Sequence, residues 1–214
     1  MMRMKYPRTP HLPWSRGATD DDVFQRRLSC FSGKEVIVTE KMDGENTTIY
    51  PDYIHARSMD SLFHPSRTWV KALQGRIGWQ IPDGWRVCGE NMYAKHSIAY
   101  HDLASYFLAF SVWDQNNLCL SWSESVKFFE RLGLKTPPVL YQGFWCEATI
   151  REIQQRLDTQ TQEGYVVRLA DAFHYDDFSQ SVAKWVRRNH VSTGEHWMKA
   201  ETVPNLLAGD ERDA

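Results

Sequence analysis

Val36, Ile37 and Val38 follow one another without a polar break, and Asp43-Gly44 separates that run from Thr47-Thr48-Ile49-Tyr50. Short β-branched runs bounded by a turn pair predict two strands, Glu35–Glu40 and Thr47–Tyr50. Trp85–Glu90, Tyr106–Trp113, Gly164–Leu169 and Val182–Val186 read as strands for the same reason. Between them the spacing turns helical. Ser66–Gln74 predicts a short helix with Ser66 as its cap and Gly75 as its end. Ser121 with Glu124, and Thr149 with Glu152, carry the capping-box spacing ahead of apolar residues, and Gly133 is placed to stop the first of these helices. Strands dominate the middle of the chain with helices between them. This predicts an α+β domain of antiparallel sheets flanked by helices.

The ends read differently. Residues 1–34 hold Pro7, Pro10, Pro13, Gly17, Gly33 and the run Asp20-Asp21-Asp22, which predicts an irregular segment packed on a domain over 35–200. Residues 201–214 predict a polar tail, frayed from Ala208 onward.

The chain has 214 residues, 42% of them hydrophobic and 24% charged, enough for one well-cored domain. Its formal net charge is −2. A protein that coats long nucleic acids would be basic throughout, so any nucleic-acid contact here must come from a local patch that reads a defined end. Cys30, Cys88, Cys119 and Cys146 form no Cys-x-x-Cys pair, which favours reduced, partly buried thiols over a zinc ribbon or a disulfide framework. With no apolar leader and no long apolar window, the expectation is a cytoplasmic protein that does not meet a membrane. His96 and His101 are five residues apart and share no helical face, so a zinc pair is not expected.

The candidate chemistry starts at Glu40-Lys41-Met42-Asp43-Gly44, where a strand ends in a lysine and a glycine turn lets a phosphate approach the backbone. A lone Lys-x-Asp-Gly is equally a surface turn. The segments that follow in order carry more weight. They are Gly89-Glu90-Asn91, then Leu108-Ala109-Phe110-Ser111, Glu163-Gly164-Tyr165-Val166-Val167-Arg168, and Val182-Ala183-Lys184-Trp185-Val186-Arg187.

Taken together these blocks resemble motifs I, III, IIIa, IV and V of the covalent nucleotidyltransferases, the superfamily of ATP-dependent RNA and DNA ligases and capping enzymes. The RNA ligase 2-like family is the nearest likeness, from about Glu35 to Arg187. The resemblance implies a nucleotidyltransferase domain of the ATP-grasp-like ligase type. It also implies ATP carried as covalent AMP, Mg²⁺ or Mn²⁺ as cofactor, and RNA ends or a nicked duplex as substrate. Lys41 matches the nucleophile, and Glu90 and Glu163 match carboxylates that hold the metal, Glu90 also contacting the ribose. Phe110 matches the aromatic that stacks on adenine, although in so apolar a strand it also reads as core. Glu40 matches a reader of the adenine edge, Lys184 a cation for the α-phosphate, and Arg57 a contact to the 5′-phosphate.

One position departs from the pattern. Where these ligases often carry a second motif V lysine the chain has Val186, which leaves the triphosphate contact to Arg187. A free lysine titrates at about 10.4, and bringing it to about 7 takes about 4.6 kcal/mol of selective destabilisation of the ammonium form. Burial, Lys184 and a metal ion are the expected sources. Only a short stretch follows Arg187, too little for an oligonucleotide-binding barrel, which favours a minimal RNA ligase whose substrate is presented by a partner protein or domain. A non-catalytic module that binds RNA ends and a minimal DNA ligase are the alternatives. Arg67, Lys71, Trp69, Trp79, Trp85, Arg76 and Arg86 form a basic, aromatic stretch that reads either as a phosphate-tracking surface with stacking platforms or as core tryptophans under a solvated face.

Overall fold

Every residue from Val36 to Glu40 is buried, as expected of a strand covered on both faces. That strand, β1 (Glu35–Lys41), is interior to a sheet in the computed structural model, which describes residues 3–18, 22–59, 64–188 and 202–210. The other elements in chain order are β2 (Glu45–Ile49), β3 (Ile54–Ala56), α1 (Thr68–Ile77), β4 (Arg86–Asn91), β5 (Phe107–Trp113), β6 (Leu118–Cys119), α2 (Trp122–Arg131), β7 (Val139–Phe144), α3 (Glu147–Arg156), β8 (Gly164–Leu169), β9 (Phe173–His174), α4 (Phe178–Ser181) and β10 (Val182–Val186).

Two sheets result, ordered β10-β8-β1-β7 and β3-β2-β4-β5-β6-β9, with every strand pairing antiparallel. The fold is α+β, as the pattern predicts. Val70, Leu73 and Ile77 of α1 and Phe128 and Phe129 of α2 close one core against Val87, Phe107, Ala109 and Val112 of the larger sheet. A second core joins Val36, Val38, Tyr165, Val167 and Trp185 to Ile150 and Ile153 of α3.

Several local expectations shift. The turn Pro65–Arg67 is a 3-10 turn capped by His64, so α1 starts at Thr68 rather than on Ser66 and runs through Gly75 to Ile77. The Ser121 capping box forms as expected, and Gly133 follows α2 at φ 69°. Helix α3 does not start from Thr149. The chain leaves β7 at Phe144, Trp145 N–H donates to Lys34 O, and the helix opens at once from Cys146. That placement leaves Cys146 exposed, while Cys88 and Cys119 lie in the core. β3, β6, β7 and β9 escape sequence reading because three of them have two or three residues, and β7 is an edge strand that lacks a two-residue burial alternation.

Both chain ends touch the sheets or their loops. Lys184 N–H donates to Pro10 O, Leu12 N–H to Lys184 O and Gly17 N–H to Val186 O, so residues 10–17 run along the free edge of β10. In the segment read as a tail, Asn205 is 2% exposed, and Leu207 packs with Met42, Met92, Leu103 and Leu108. Ala208 N–H donates to Leu103 O, so order extends past the position where fraying was expected; residues 211–214 lie outside the described residues. Among the described residues no helix is long and apolar enough to cross a membrane.

Candidate active site

Lys41 is the last residue of β1, and the turn after it is held by its own motif residues. A Cβ on Gly44 would sit 2.6 Å from the Asn91 carbonyl oxygen and 2.9 Å from Cγ of Glu90. Only glycine lets β2 start this close to β4, which carries Glu90. Asp43 faces the other way. Its Oδ2 accepts from Ser97 N–H (2.8 Å), Ser97 Oγ (2.6 Å) and Ile98 N–H (2.8 Å), and its own N–H donates to the Tyr100 hydroxyl. Asp43 therefore latches the loop between β4 and β5 through Oδ2.

Lys41 Nζ donates to Glu163 Oε2 at 2.5 Å. Glu163 is buried one residue before β8, and the pairing of Lys41 with Gly164 sets this reach. The electrostatics correct the expectation of a depressed lysine. Burial pulls the Lys41 pKa down, but the charges of Glu163, Glu90 and Asp43 outweigh it and hold the amine above its ordinary range. Burial also raises the Glu163 carboxyl, against the pull of Lys41. Glu90 is half-buried and is pushed up to about 8, first by burial and then by Glu163, Asp43 and Glu45, with Lys41 opposing. Lys184, on β10 opposite Val166, is lowered to about 8, by burial and then by the Lys41 and Arg57 charges. The depressed lysine of the site is Lys184, not Lys41.

Three acids, Glu163, Glu90 and Asp43, act on Lys41, and a fourth, Glu45, lines the cavity beside it. Asp43 is held by backbone and serine donors. Glu45 is held by Arg67, Nε to Oε2 at 2.7 Å and Nη2 to Oε1 at 2.5 Å, both side chains buried. Glu90 and Glu163 remain. A carboxyl titrating near 8 beside a second buried carboxyl is a place where a divalent cation relieves repulsion. Among the described residues no cluster of three or more His, Cys, Asp or Glu side chains forms a closed metal cage. Two carboxylates suit Mg²⁺, which keeps most of its waters.

A cavity of about 660 Å³ opens over these groups, lined from both sheets. Glu40, Lys41, Glu90, Phe110, Lys184 and Arg57 all line it. Glu163 stands behind Lys41, outside the lining. Arg187 is also outside it. Its N–H donates to Glu163 O, and its Nε is buried without a hydrogen-bond partner, so the structure does not bring the Arg187 guanidinium into the cavity. Val186, at the place of the missing lysine, is 1% exposed and faces the core. Arg57 is exposed at the rim.

Phe110 is half-buried, with the Tyr6 ring edge-on at 5.3 Å. Its carbonyl accepts from Nη1 of Arg168, whose Nη2 and Nε donate to Leu120 O and Leu169 O. That buried guanidinium ties β5, β8 and the segment before α2 at one end of the cavity. Burial raises the Glu40 carboxyl, and Gln162 Nε2 donates to its Oε2 at 2.8 Å. Tyr6, Gln162 and Arg168 went unread in the sequence. Arg168 carried a faint signal, a cation inside an apolar strand. Tyr6 and Gln162 carried none, because only the fold brings them near.

The basic stretch divides. Arg67 leaves the tracking face for its ion pair with Glu45, Trp69 packs on Tyr106, and Trp85 stacks on Phe128. Arg86 is buried with its guanidinium over Trp113. Trp79 stays exposed. His96 lines the cavity while His101 is exposed.

Comparison with known proteins bears on the fold and the family. Two archaeal ATP-dependent RNA ligase structures resemble the fold, with TM-scores of 0.60 and 0.56 at 15% and 16% identity, each over 85% of this chain and 48% of theirs. A protein of Aquifex aeolicus described as an ATP-dependent DNA ligase does so with a TM-score of 0.53 and 19% identity, over 85% of this chain and 49% of that one. The chain therefore spans about half the length of the structures it resembles. No curated protein sequence matches it. The sequence model of the RNA ligase family matches residues 34–186, a span that takes in every strand from β1 to β10. On that match the chain belongs to the RNA ligase family.

Proposed function

We propose that the chain is an ATP-dependent RNA ligase that joins a 3′-hydroxyl to a 5′-phosphate by way of AMP carried on Lys41. The observation that carries this reading is the Lys41–Glu163 contact at the wall of a cavity that also presents Lys184, Glu90 and Phe110.

Three in-line displacements at phosphorus make up the cycle. Lys41 Nζ first loses a proton, and Glu163 Oε2 is the acceptor in hydrogen-bond reach. The amine then attacks the α-phosphorus of ATP. A P–N bond forms, the bond to the β-phosphate oxygen breaks, and pyrophosphate leaves. Lys184, still a cation at neutral pH, balances charge on the α-phosphate, and Arg187, which lies outside the cavity lining, would have to turn toward it to contact the outer phosphates. Glu90 and Glu163 would hold a divalent cation that offsets the phosphate charge and takes carboxylate charge off Lys41. Phe110 stacks on adenine, and the oxygen of Glu40 not bonded to Gln162 accepts from the exocyclic amine.

In the second displacement a 5′-phosphate oxygen, positioned by Arg57, attacks the lysyl-AMP; the P–N bond breaks and a pyrophosphate linkage forms. In the third, the 3′-hydroxyl attacks that 5′-phosphorus, the phosphodiester forms and AMP leaves. Positioning and preorganised charge supply the catalysis.

The test is incubation with α-labelled ATP and Mg²⁺. Label that stays on the wild-type chain through denaturing electrophoresis and is released by mild acid but not by alkali, as a P–N bond requires, and that is absent from Lys41→Ala, is expected. Absence of label on the wild-type chain, or label surviving in Lys41→Ala, overturns the assignment. Sealing assays on nicked RNA, on RNA held by a DNA template and on nicked DNA then distinguish an RNA ligase from a minimal DNA ligase.

A further inference from the structure

Helix α1 begins at the active-site cavity, where Arg67 lines the wall, and runs away from it for about 15 Å. Its inner face is Val70, Leu73 and Ile77. Its outer face is one stripe at helical spacing: Thr68, Lys71, Ala72, Gly75 and Arg76, with Trp79 in the turn that follows. A solvated helix face ordinarily mixes both signs of charge, yet α1 carries two cations and no acid. Among the described residues the acids nearest to α1 in sequence on either side, Asp52 and Asp83, sit in loops, and Asp52 follows the Pro51 carbonyl that accepts from Gln74. Trp79 is 81% exposed, the most exposed of the large apolar side chains described. Its Nε1 donates to Arg76 O at 3.0 Å, so its one polar atom is satisfied within the protein and its exposed surface is aromatic. Arg76 lies with Cζ 5.8 Å from the Trp69 ring centre, which holds its charge on the stripe.

We infer that this stripe is a track for single-stranded RNA leading away from the end being sealed, Lys71 and Arg76 contacting phosphates and Trp79 stacking on an unpaired base. The inference rests on the ligase reading of the adjoining cavity. Single-stranded RNA is the occupant the chemistry selects. Cations alone would suit any polyanion, but an exposed indole engages a base only where the base is free of a duplex. The small residues Ala72 and Gly75 between the two cations let the backbone lie close to the helix.

The experiment measures binding of a short labelled 5′-phosphorylated RNA strand by fluorescence anisotropy over a range of salt. Wild type is compared with Trp79→Ala, Trp79→Phe and the double variant Lys71→Ala/Arg76→Ala, and lysyl-AMP formation from ATP is read on each. Trp79→Ala should weaken binding roughly tenfold and Trp79→Phe much less. The double variant should flatten the dependence of log affinity on log salt by about 1.4, about 0.7 for each cation. Lysyl-AMP formation should stay at the wild-type level in all three. Wild-type affinity and salt slope in the variants would overturn the track. An equal effect of Trp79→Ala on a blunt RNA duplex would overturn its single-strand character. A wild-type chain that binds RNA through the stripe but forms no lysyl-AMP would support the track while overturning the ligase reading, so the two failures are separable.

Discussion

Glu163 Oε2 lies 2.5 Å from Nζ of Lys41 across 122 residues of sequence, so the side chain best placed to take the lysine's proton is also the one that keeps that proton bound. On the proposed ligase reading, the Lys41 amine is held as an ammonium by its own proton acceptor until nucleotide and metal arrive. Activation then depends on charge redistribution within the cavity. A depressed resting pKa is not what this geometry supplies.

Glu163→Gln keeps the shape and removes the charge. In the absence of ATP and metal, the midpoint of the pH dependence of Lys41 acylation by an amine-specific reagent should move down by about one pH unit or more, because the ammonium loses its nearest counter-charge. Peptide mapping with mass spectrometry reads the site-specific rate. A midpoint that stays put would show that burial and Glu90 alone set the lysine.

Lys184 titrates near 8, lowered by burial and by Lys41. Its charge is present below that pH and lost above it, so kcat/KM for ATP in lysyl-AMP formation should decline as pH rises through about 8. Lys184→Arg keeps its charge throughout this range. Its profile should lack the alkaline decline, though planar guanidinium geometry will lower the plateau. Identical alkaline limbs in the two proteins would remove Lys184 from the phosphate site.

Glu90 is raised to about 8 in the folded chain, against about 4.3 for an unfolded glutamate. A raised folded pKa contributes stability that is complete below the unfolded value and is lost as pH rises through the folded one. The stability of Glu90→Gln relative to wild type should therefore increase between about pH 5 and about pH 8, while lysyl-AMP formation falls. Urea unfolding at three pH values across that window checks the sign. A pH-independent difference would mean that Glu90 does not carry the raised pKa.

Asn205 joins residues 202–208 to the loop that holds Asp43. Its Oδ1 accepts from Tyr100 N–H, and its Nδ2 donates to Met92 O and, at longer range, to Ala94 O. Its main chain adds bonds with Tyr93 and with the Tyr106 hydroxyl. Asn205→Ala leaves a buried donor and buried acceptors without these partners and should cost about 2–4 kcal/mol in urea unfolding. A loss under about 0.5 kcal/mol would show that the segment is held by Leu207 and its neighbours instead.

Much of the site was legible because its residues sit in short local patterns. A lysine at a strand end before Asp-Gly, a carboxylate after Gly89, and a second carboxylate opening an apolar strand can each be found by eye, and their order along the chain carried the family. The Ser121–Glu124 cap was legible for the same reason, since both partners lie within one helical turn. Thr149 had an equally good local signal, yet the exit from β7 started α3 before that residue was reached. Arg67 looked like one of a row of surface cations, and Glu45, far off in helical reckoning, drew it inside.

From residue order alone came the antiparallel α+β architecture, the positions of six of the ten described strands to within two residues, and Lys41, Glu90, Glu163 and Lys184 as candidates for the site. Those depend on periodicity, turn chemistry and local spacing, all of which act within a few residues. The tertiary structure alone decided which lysine is depressed, which acids are spoken for and what closes the cavity around Phe110. Burial and Coulomb interaction depend on distance in space, and here the deciding partners, Lys41 with Glu163, Glu45 with Arg67 and Tyr6 with Phe110, are separated in sequence by tens of residues or more.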